Sequence, residues 1–241
     1  MNQYYDITPL INEMQLEKGK VYSFIGRVAI GKTKLMTDIT AYLLSNTDMK
    51  GIFCTTTNRD SLSDTILQFN NVEILLHCKK MKYIFEEYAF DSDTIFYDIA
   101  AEGTDFLIID SVYPYDSENI STPLISRLKE FAKERNIIIV CTARQNVKYG
   151  IDNPRSVFIR TAEKNAGTKQ LTEQSDFVAF MDMVPYYNPD YPGVYNDDDS
   201  VDFIITKGKN GQKTIKIEHL RKPDRTPDKF FESIVPNNHM S

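Results

Sequence analysis

Residues 21–45 read VYSFIGRVAIGKTKLMTDITAYLLS, and the glycine-containing middle of this stretch decides the fold. Residues 21–25 form a short apolar run of mostly β-favouring residues, which predicts a strand. Residues 32–45 repeat apolar side chains at helical spacing, which predicts a helix with one buried face. Residues 26–33 lie between them and match the pattern G-x-x-x-x-G-K-[ST], in the strand–loop–helix context that this pattern requires.

The 26–33 stretch is predicted to be a phosphate-binding loop. Its glycines allow backbone N–H groups to turn toward phosphate oxygens, and the N-terminus of the following helix adds partial positive charge. We expect Lys32 to reach the β- and γ-phosphates of a nucleotide, and the Thr33 hydroxyl to bind Mg²⁺. The alternative is a chance match in a glycine turn, which average residue usage gives in roughly one protein in a hundred of this size. The predicted nucleotide-binding residues are Gly26, Arg27, Val28, Ala29, Ile30, Gly31, Lys32 and Thr33.

A second stretch, FLIID at 106–110, adds a candidate metal-binding carboxylate. Its apolar residues predict a buried strand, and Asp110 follows at the carboxyl end of that strand. In a parallel sheet this end lies beside the phosphate loop, where a carboxylate can hold Mg²⁺ through water. Many buried strands end in Asp, so the assignment of Asp110 depends on the phosphate loop upstream.

Strand and helix patterns alternate along most of the chain. Further strands are predicted at 51–54, 72–76 and 137–141, and further helices at 61–69, 79–89, 91–101 and from Ser121 onward. This alternation requires crossover connections and a mostly parallel sheet covered on both faces. In the last third, strands are predicted at 177–183, 201–206 and 213–220, and Asn210-Gly211 between the last two is a strong hairpin signal. We therefore predict an α/β fold with a mostly parallel sheet, flanked by helices, that ends in antiparallel strands.

Composition limits the classes of protein to which the chain can belong. Its 241 residues, 41% hydrophobic and 26% charged with a net charge of -6, are typical of one large or two small globular domains. The apolar runs are too short to span a membrane, and residues 1–10 do not resemble a secretory signal. We therefore expect a cytoplasmic protein with no membrane partner. The cysteines and histidines show no metal-ligand spacing, which argues against a structural zinc site.

Four stretches of the sequence, in their order along the chain, carry a resemblance to a known family. They are GKVYSFIGRVAIGKTKLMTDITAYLL at 19–44, FLIIDS at 106–111, ISRLKEFAKERNIIIVCTARQN at 125–146, and EQSDFVAF at 173–180 followed by DFIITKGKNGQKTIKIEHL at 202–220. In this order and spacing they resemble the RecA-like ATPase core of DnaB-type replicative helicases, over 16–220. The resemblance implies a RecA-like P-loop NTPase that uses ATP and Mg²⁺, acts on single-stranded DNA and forms a homo-oligomer, either a hexameric ring or a filament.

The resemblance also divides the chain and suggests catalytic residues. It implies an N-terminal arm at 1–15, a RecA-like ATPase domain at 16–222 and a C-terminal tail at 223–241, without the family's N-terminal helical domain. Lys32 and Asp110 match catalytic positions of the family. Lys207 matches a lysine of the family's hairpin, and Lys209 stands where an arginine finger is usual. In the family this hairpin acts on the nucleotide of a neighbouring subunit.

Two departures from the family concern catalysis. The family has a catalytic Glu just after the second strand, but residues 54–58 read CTTTN and the next carboxylate is Asp60. Hydrolysis is expected to be slow if Thr56 occupies that position, because no base activates the attacking water. A sensor glutamine of the family falls on Arg144 or Gln145, depending on a shift of one residue.

A basic segment at 144–169 is the candidate nucleic-acid interface. It holds six basic and two acidic residues, and the family grips single-stranded DNA with loops in this region. The alternative is a solvated loop whose charges bind nothing. Few aromatic residues are interleaved, which favours contact with the phosphate backbone over base stacking. The candidate DNA-binding residues are Lys148, Arg155, Arg160, Lys164 and Lys169.

Three functions fit these patterns. The first is an ATP-dependent motor on single-stranded DNA, a minimal replicative-helicase-like protein of a phage or mobile element. The second is a RecA-like recombination accessory or regulatory ATPase in which ATP switches assembly, with weak or no hydrolysis. The third is a nucleotide-gated scaffold that recruits partners through the segment 181–202, which holds six Asp and no Lys or Arg.

Overall fold

The described strands of the chain form a single sheet. The computed structural model describes residues 6–26, 30–55, 80–85, 103–112, 124–144, 166–182 and 200–217. Its helices are α1 (Thr8–Met14), α2 (Lys32–Asn46), α3 (Leu124–Arg135) and α4 (Ala166–Gln174). Its strands are β1 (Val21–Gly26), β2 (Gly51–Thr55), β3 (Met81–Phe85), β4 (Phe106–Val112), β5 (Ile138–Arg144), β6 (Phe177–Asp182), β7 (Val201–Lys207) and β8 (Lys213–Ile217).

The strand order is β3-β2-β4-β5-β1-β6-β7-β8, which makes an eight-stranded sheet. All neighbours from β3 to β6 are parallel, and β6-β7 and β7-β8 are antiparallel. This confirms the predicted fold class. The strand β1 lies in the interior of the sheet, although it is the first strand in the chain. Its carboxyl end therefore lies between other strand ends, in the position where ligands bind to open α/β sheets.

The central strands are buried on both faces, which explains their continuous apolar runs. Successive residues of a strand point to opposite faces. Phe24, Phe53 and Phe106 accordingly join a cluster with α1 and α2 on one face. Ile25 and Leu107, their immediate neighbours in the chain, join a cluster with α3 and α4 on the other face.

The helix α1 belongs to this core. Leu10, Ile11 and Met14 are buried and lie in the same cluster as Phe24 and Phe177. Residues 8–14 belong to the predicted N-terminal arm at 1–15, and they share the core of the sheet. None of the helices in the described ranges is long and apolar enough to span a membrane.

The predicted helix at 79–89 is wrong, because Met81–Phe85 is the edge strand β3. It pairs in parallel with β2. Met81 and Tyr83 are partly buried against the core, and the centroid of the Tyr83 ring lies 5.8 Å from that of the Phe53 ring. The apolar residues Met81, Tyr83 and Phe85 alternate along the chain, as the pleat of a strand requires, but the wider apolar pattern at 79–89 also suits a helix. Pairing with β2 favours the strand. The predicted strand at 72–76 and the helices at 61–69 and 91–101 lie outside the described residues.

The hairpin at Asn210-Gly211 is confirmed, since β7 and β8 pair in antiparallel register on either side of it. The N–H of Gly211 donates to the carbonyl of Gly208 at 3.2 Å, and Gly211 has a φ of +81°. A residue with a side chain is strained at that φ, so the glycine suits the turn. Lys209 and Asn210 form the tip.

Gly51 is predicted to be required for close packing of β2 against β4. A Cβ atom built on Gly51 would lie 2.1 Å from the Phe106 ring, which is fully buried in the core. Gly51→Ala should therefore lower the free energy of unfolding by about 1–3 kcal/mol, as overpacking does. Urea denaturation measures this change. In the double variant Gly51→Ala/Phe106→Leu the loss should be less than the sum of the single losses, because the smaller side chain relieves the clash. Additive losses would contradict the packing argument.

Candidate functional site

The loop between β1 and α2 is bounded by two glycines with different roles. Gly26 ends β1, and a Cβ there would lie only 3.0 Å from Ile30 and 3.1 Å from Met181. Gly31 is the N-cap of α2 and has a φ of +93°, a conformation that glycine adopts without strain. The helix then begins at Lys32, with its N-terminus at the carboxyl end of β1, and such a terminus favours anions. The predicted loop residues Arg27, Val28 and Ala29 lie outside the described residues.

The Lys32 ammonium lies over the start of this loop. Its Nζ donates a hydrogen bond to the carbonyl oxygen of Gly26 at 3.1 Å. Burial lowers the pKa of Lys32 to about 8, with the Asp110 carboxylate opposing the shift and the Arg144 cation adding to it. The charged form is thus poorly solvated, and a bound anion would stabilise it.

The Asp110 carboxylate joins two strands and a helix. Asp110 is only 4% exposed at the carboxyl end of β4. Its Oδ2 accepts a hydrogen bond from the Thr33 hydroxyl at 2.7 Å, and its Oδ1 accepts one from the Thr142 hydroxyl at 2.8 Å. Thr33 and Asp110, both predicted from sequence as Mg²⁺ ligands, are therefore in direct contact.

Thr142 was not identified from the sequence. It is fully buried on β5, and it reaches Asp110 because β5 is the neighbour of β4. A threonine near the end of an otherwise apolar strand is the only local indication of this role, and the strand order is needed to use it.

The oxygen atoms around Asp110 fit a magnesium site. Mg²⁺ prefers hard oxygen ligands, and it commonly takes one or two protein ligands together with substrate phosphates. The Thr33 hydroxyl and the Asp110 carboxylate supply such oxygens beside the phosphate loop. Within the described ranges no group of three or more His, Cys, Asp or Glu could hold a metal by itself.

Arg144 ends β5 beside the phosphate loop, and its Cα pairs in register with that of Gly26. Its side chain is exposed. Of the two residues considered for the sensor position, Arg144 thus has a defined place at the site, while Gln145 lies outside the described residues. Thr56 and Asp60, considered for the missing catalytic Glu, also lie outside them.

The predicted catalytic lysines of the hairpin lie away from Lys32. Lys207 is in register with Val178 near the start of β6, so it lies at the amino edge of the parallel strands, opposite the phosphate loop. Its Nζ donates to the backbone carbonyl of Glu173 at 2.8 Å, and Lys209 forms an ion pair with Glu17. Burial lowers the pKa of Lys207, with the nearby Lys129 cation adding to the shift. Among the described residues, neither lysine contacts the phosphate loop of its own chain.

The candidate DNA-binding residues are described only in part. Lys169 lies on α4, where it is exposed and pairs with Glu173 at 3.7 Å. This part of the basic segment is a helix rather than the expected loop. The other four candidates lie outside the described residues, and they are Lys148, Arg155, Arg160 and Lys164. Of the Asp-rich segment, only its ends are described, and Asp182 is buried there.

Comparisons with known proteins identify the fold. No protein-family model matches the sequence, and no curated protein matches it. The structure is similar to a solved structure described as an ATPase domain, with a TM-score of 0.63 and 14% identity over 91% of this chain and 88% of that one. It is also similar to a DnaB-like replicative helicase described with its interactions with primase (TM-score 0.61, 14% identity, 87% of this chain). The chain spans 57% of that helicase.

A third solved structure, described as the RadB recombinase, has a TM-score of 0.58 and 12% identity over 89% of this chain and 94% of that one. At such identities the likeness establishes the fold and nothing finer. Because the parallel core and antiparallel end of the sheet agree with it, the chain has the fold of a RecA-like P-loop ATPase core, as its sequence resemblance predicts.

Proposed function

We propose that this protein binds ATP with Mg²⁺ and hydrolyses it as a RecA-like motor ATPase on single-stranded DNA. The observation that carries the proposal is the contact between Thr33 and Asp110 beside Lys32, at the N-terminus of α2. A cation, a hydroxyl and a carboxylate in this arrangement are the parts that a nucleoside triphosphate with Mg²⁺ requires. The RecA-like fold supports the same assignment.

In this proposal each residue of the site has a defined task. Backbone N–H groups at the start of α2 bind phosphate oxygens, and Lys32 leaves the Gly26 carbonyl to contact the β- and γ-phosphates. Thr33 and Asp110 hold Mg²⁺, which neutralises charge on the phosphates when bound. Thr142 keeps the Asp110 carboxylate in one orientation, because it occupies the oxygen that Thr33 does not contact.

The proposed motor acts as an oligomer. Lys207 and Lys209 lie at the opposite edge of the sheet from their own phosphate loop, so they can assist hydrolysis only in a neighbouring subunit. This head-to-tail contact generates a ring or a filament. The basic residues Lys148, Arg155, Arg160, Lys164 and Lys169 are proposed to contact the backbone of single-stranded DNA, in keeping with the likeness to a DnaB-like helicase.

A second function is favoured by the lack of a carboxylate in the sequence at 54–58. With no residue there to activate water, ATP would serve to switch assembly, with weak or no turnover. Lysine at position 209 points the same way, because it lacks the planar fork with which arginine clamps a phosphoryl group. Turnover of wild-type protein, measured with and without single-stranded DNA, separates the two functions.

Removal of the Lys32 ammonium is expected to weaken ATP binding. Lys32→Ala should lower ATP affinity by about 10- to 100-fold, since it deletes hydrogen bonds to a charged ligand. Calorimetric titration with Mg²⁺ and ATP measures the change, and the thermal unfolding midpoint checks that the variant folds. Lys133→Ala removes an exposed lysine at the end of α3 and serves as a control with wild-type affinity. Equal affinity of wild-type and a folded Lys32→Ala protein would disprove the phosphate site.

Nucleotide binding is expected to take up a proton at Lys32 near pH 8. The pKa of Lys32 is about 8 in the free protein, and a bound phosphate raises it because negative charge favours the ammonium. Affinity should therefore be level below that pKa and fall by up to about tenfold per pH unit above it. Calorimetry in buffers of different ionisation enthalpy measures the uptake. Lys32→Arg, whose guanidinium stays charged, should abolish it. Proton uptake that persists in Lys32→Arg would assign it to another group.

Catalysis across the subunit contact is expected to be restored by mixing two inactive variants. Lys32→Ala protein keeps the hairpin but not the phosphate site, and Lys207→Ala/Lys209→Ala protein keeps the phosphate site but not the hairpin lysines. Contacts between them assemble complete sites, so the mixture should hydrolyse more ATP than either variant alone. Phosphate release measures turnover, and native mass shows whether the variants assemble together. A mixture that assembles without gaining turnover would contradict the role of the hairpin.

A further inference from the structure

The segment that follows α1 is anchored beside the hairpin between β7 and β8. The apolar face of α1, with Leu10 and Met14, is buried in the core, so the helix cannot shift without exposing apolar surface. Beyond the helix, the N–H of Glu17 donates to the Tyr22 hydroxyl at 2.8 Å, and that hydroxyl donates to the carbonyl of Gln15 at 3.0 Å. Because Tyr22 is a buried residue of β1, the backbone that carries Glu17 is tied to the sheet.

Two carboxylates of this anchored region engage the hairpin. Glu13, in α1, accepts a hydrogen bond from the Asn210 side chain at 2.9 Å and forms an ion pair with Lys213. Glu17 forms an ion pair with Lys209, the neighbour of Asn210 at the tip. Glu13 thus fixes the position of the hairpin, and Glu17 occupies the ammonium at its tip.

We propose that Glu17 restrains Lys209, so that the N-terminal region of each subunit limits the contact between its hairpin and the nucleotide of a neighbouring subunit. This inference rests on the proposed function, in which Lys209 acts on that nucleotide. To make the contact, the Lys209 ammonium must exchange the Glu17 carboxylate for a phosphate. A carboxylate that stays beside the ammonium repels the incoming phosphate, because both groups are negative.

The restraint is weak enough to be reversible. The Lys209 and Glu17 side chains are 52% and 47% exposed, and an ion pair of this kind shifts an equilibrium by about fivefold at most. A triphosphate carries more negative charge than one carboxylate, so it displaces Glu17 once it is present at sufficient concentration. Glu17 therefore sets the nucleotide concentration at which subunits join, and it does not prevent them from joining.

The test uses native mass to measure the concentration of a non-hydrolysable ATP analogue, with Mg²⁺, at which half of the protein is assembled. Glu17→Gln keeps the size of the side chain and removes its charge, so it should assemble at about two- to fivefold less analogue than wild-type protein. Lys209→Ala should need more analogue than wild-type protein. Adding Glu17→Gln to Lys209→Ala should change nothing further, because Glu17 acts through Lys209.

A matched control removes another exposed glutamate charge. Glu134→Gln, near the end of α3, should assemble as wild-type protein does. Thermal unfolding midpoints check that every variant folds.

Three results would overturn the inference while leaving nucleotide-dependent assembly in place. Glu17→Gln protein that assembles at the wild-type concentration would show that Glu17 does not restrain the hairpin. A need for more analogue would show that Glu17 positions Lys209 for the contact. A gain that persists in the Lys209→Ala background would assign the effect to a different partner of Glu17.

Failure of the proposed function gives a different pattern. Wild-type protein that does not bind the analogue, or binds it without assembling, would remove the proposed function and this inference with it. Lys209→Ala protein that assembles at the wild-type concentration would show that the hairpin lysine does not reach the neighbouring nucleotide, and it would also overturn the inference.

Discussion

The hydrogen bonds to the Asp110 carboxylate are the constraint on which the rest of the site depends. A carboxylate that is 4% exposed is costly to bury unless polar groups compensate it, and here two hydroxyls do so. One comes from Thr33 in the first turn of α2, so that bond sets the start of the helix relative to β4. The position of that helix start in turn brings the adjacent Lys32 back over Gly26. Hydrogen bonds thus hold the start of α2, the Lys32 ammonium and the Asp110 carboxylate in place relative to one another.

Lys32 is held in surroundings that destabilise its charged form. Burial and the neighbouring Arg144 cation both disfavour its charged form, and the lowered pKa reports that cost. Groups with strongly shifted pKa values concentrate at functional sites, because the same surroundings that disfavour a charge in the free protein favour it once an opposite charge is bound. The surroundings of Lys32 would therefore favour a bound anion, as the proposed function requires.

The hairpin between β7 and β8 forms ion pairs with residues at and just after the end of α1. Lys209 pairs with Glu17, Lys213 pairs with Glu13, and Asn210 donates to Glu13 at 2.9 Å. The hydrogen bonds from Lys213 and Asn210 hold the pKa of Glu13 below its usual value. Exposed pairs of this kind contribute little to stability, because water and salt screen them. In the proposed oligomer, a phosphate bound to a neighbouring subunit could therefore compete with Glu17 for Lys209 at little cost in stability.

The sequence alone determined the features whose physical cause is local. The loop at 26–33 follows from two closely spaced glycines and a helix start, the buried strands follow from apolar runs, and the hairpin follows from Asn210-Gly211. Only the tertiary structure decided features that depend on which strands are neighbours. Met81–Phe85 is a strand because it pairs with the free edge of β2, although its apolar pattern also suited a helix. Thr142 belongs to the site because β5 is the neighbour of β4, an adjacency that brings together residues far apart in the chain and that no spacing within the sequence encodes. Arg144 was one of two residues considered for the sensor position, and the pairing of β5 with β1 places it beside Gly26.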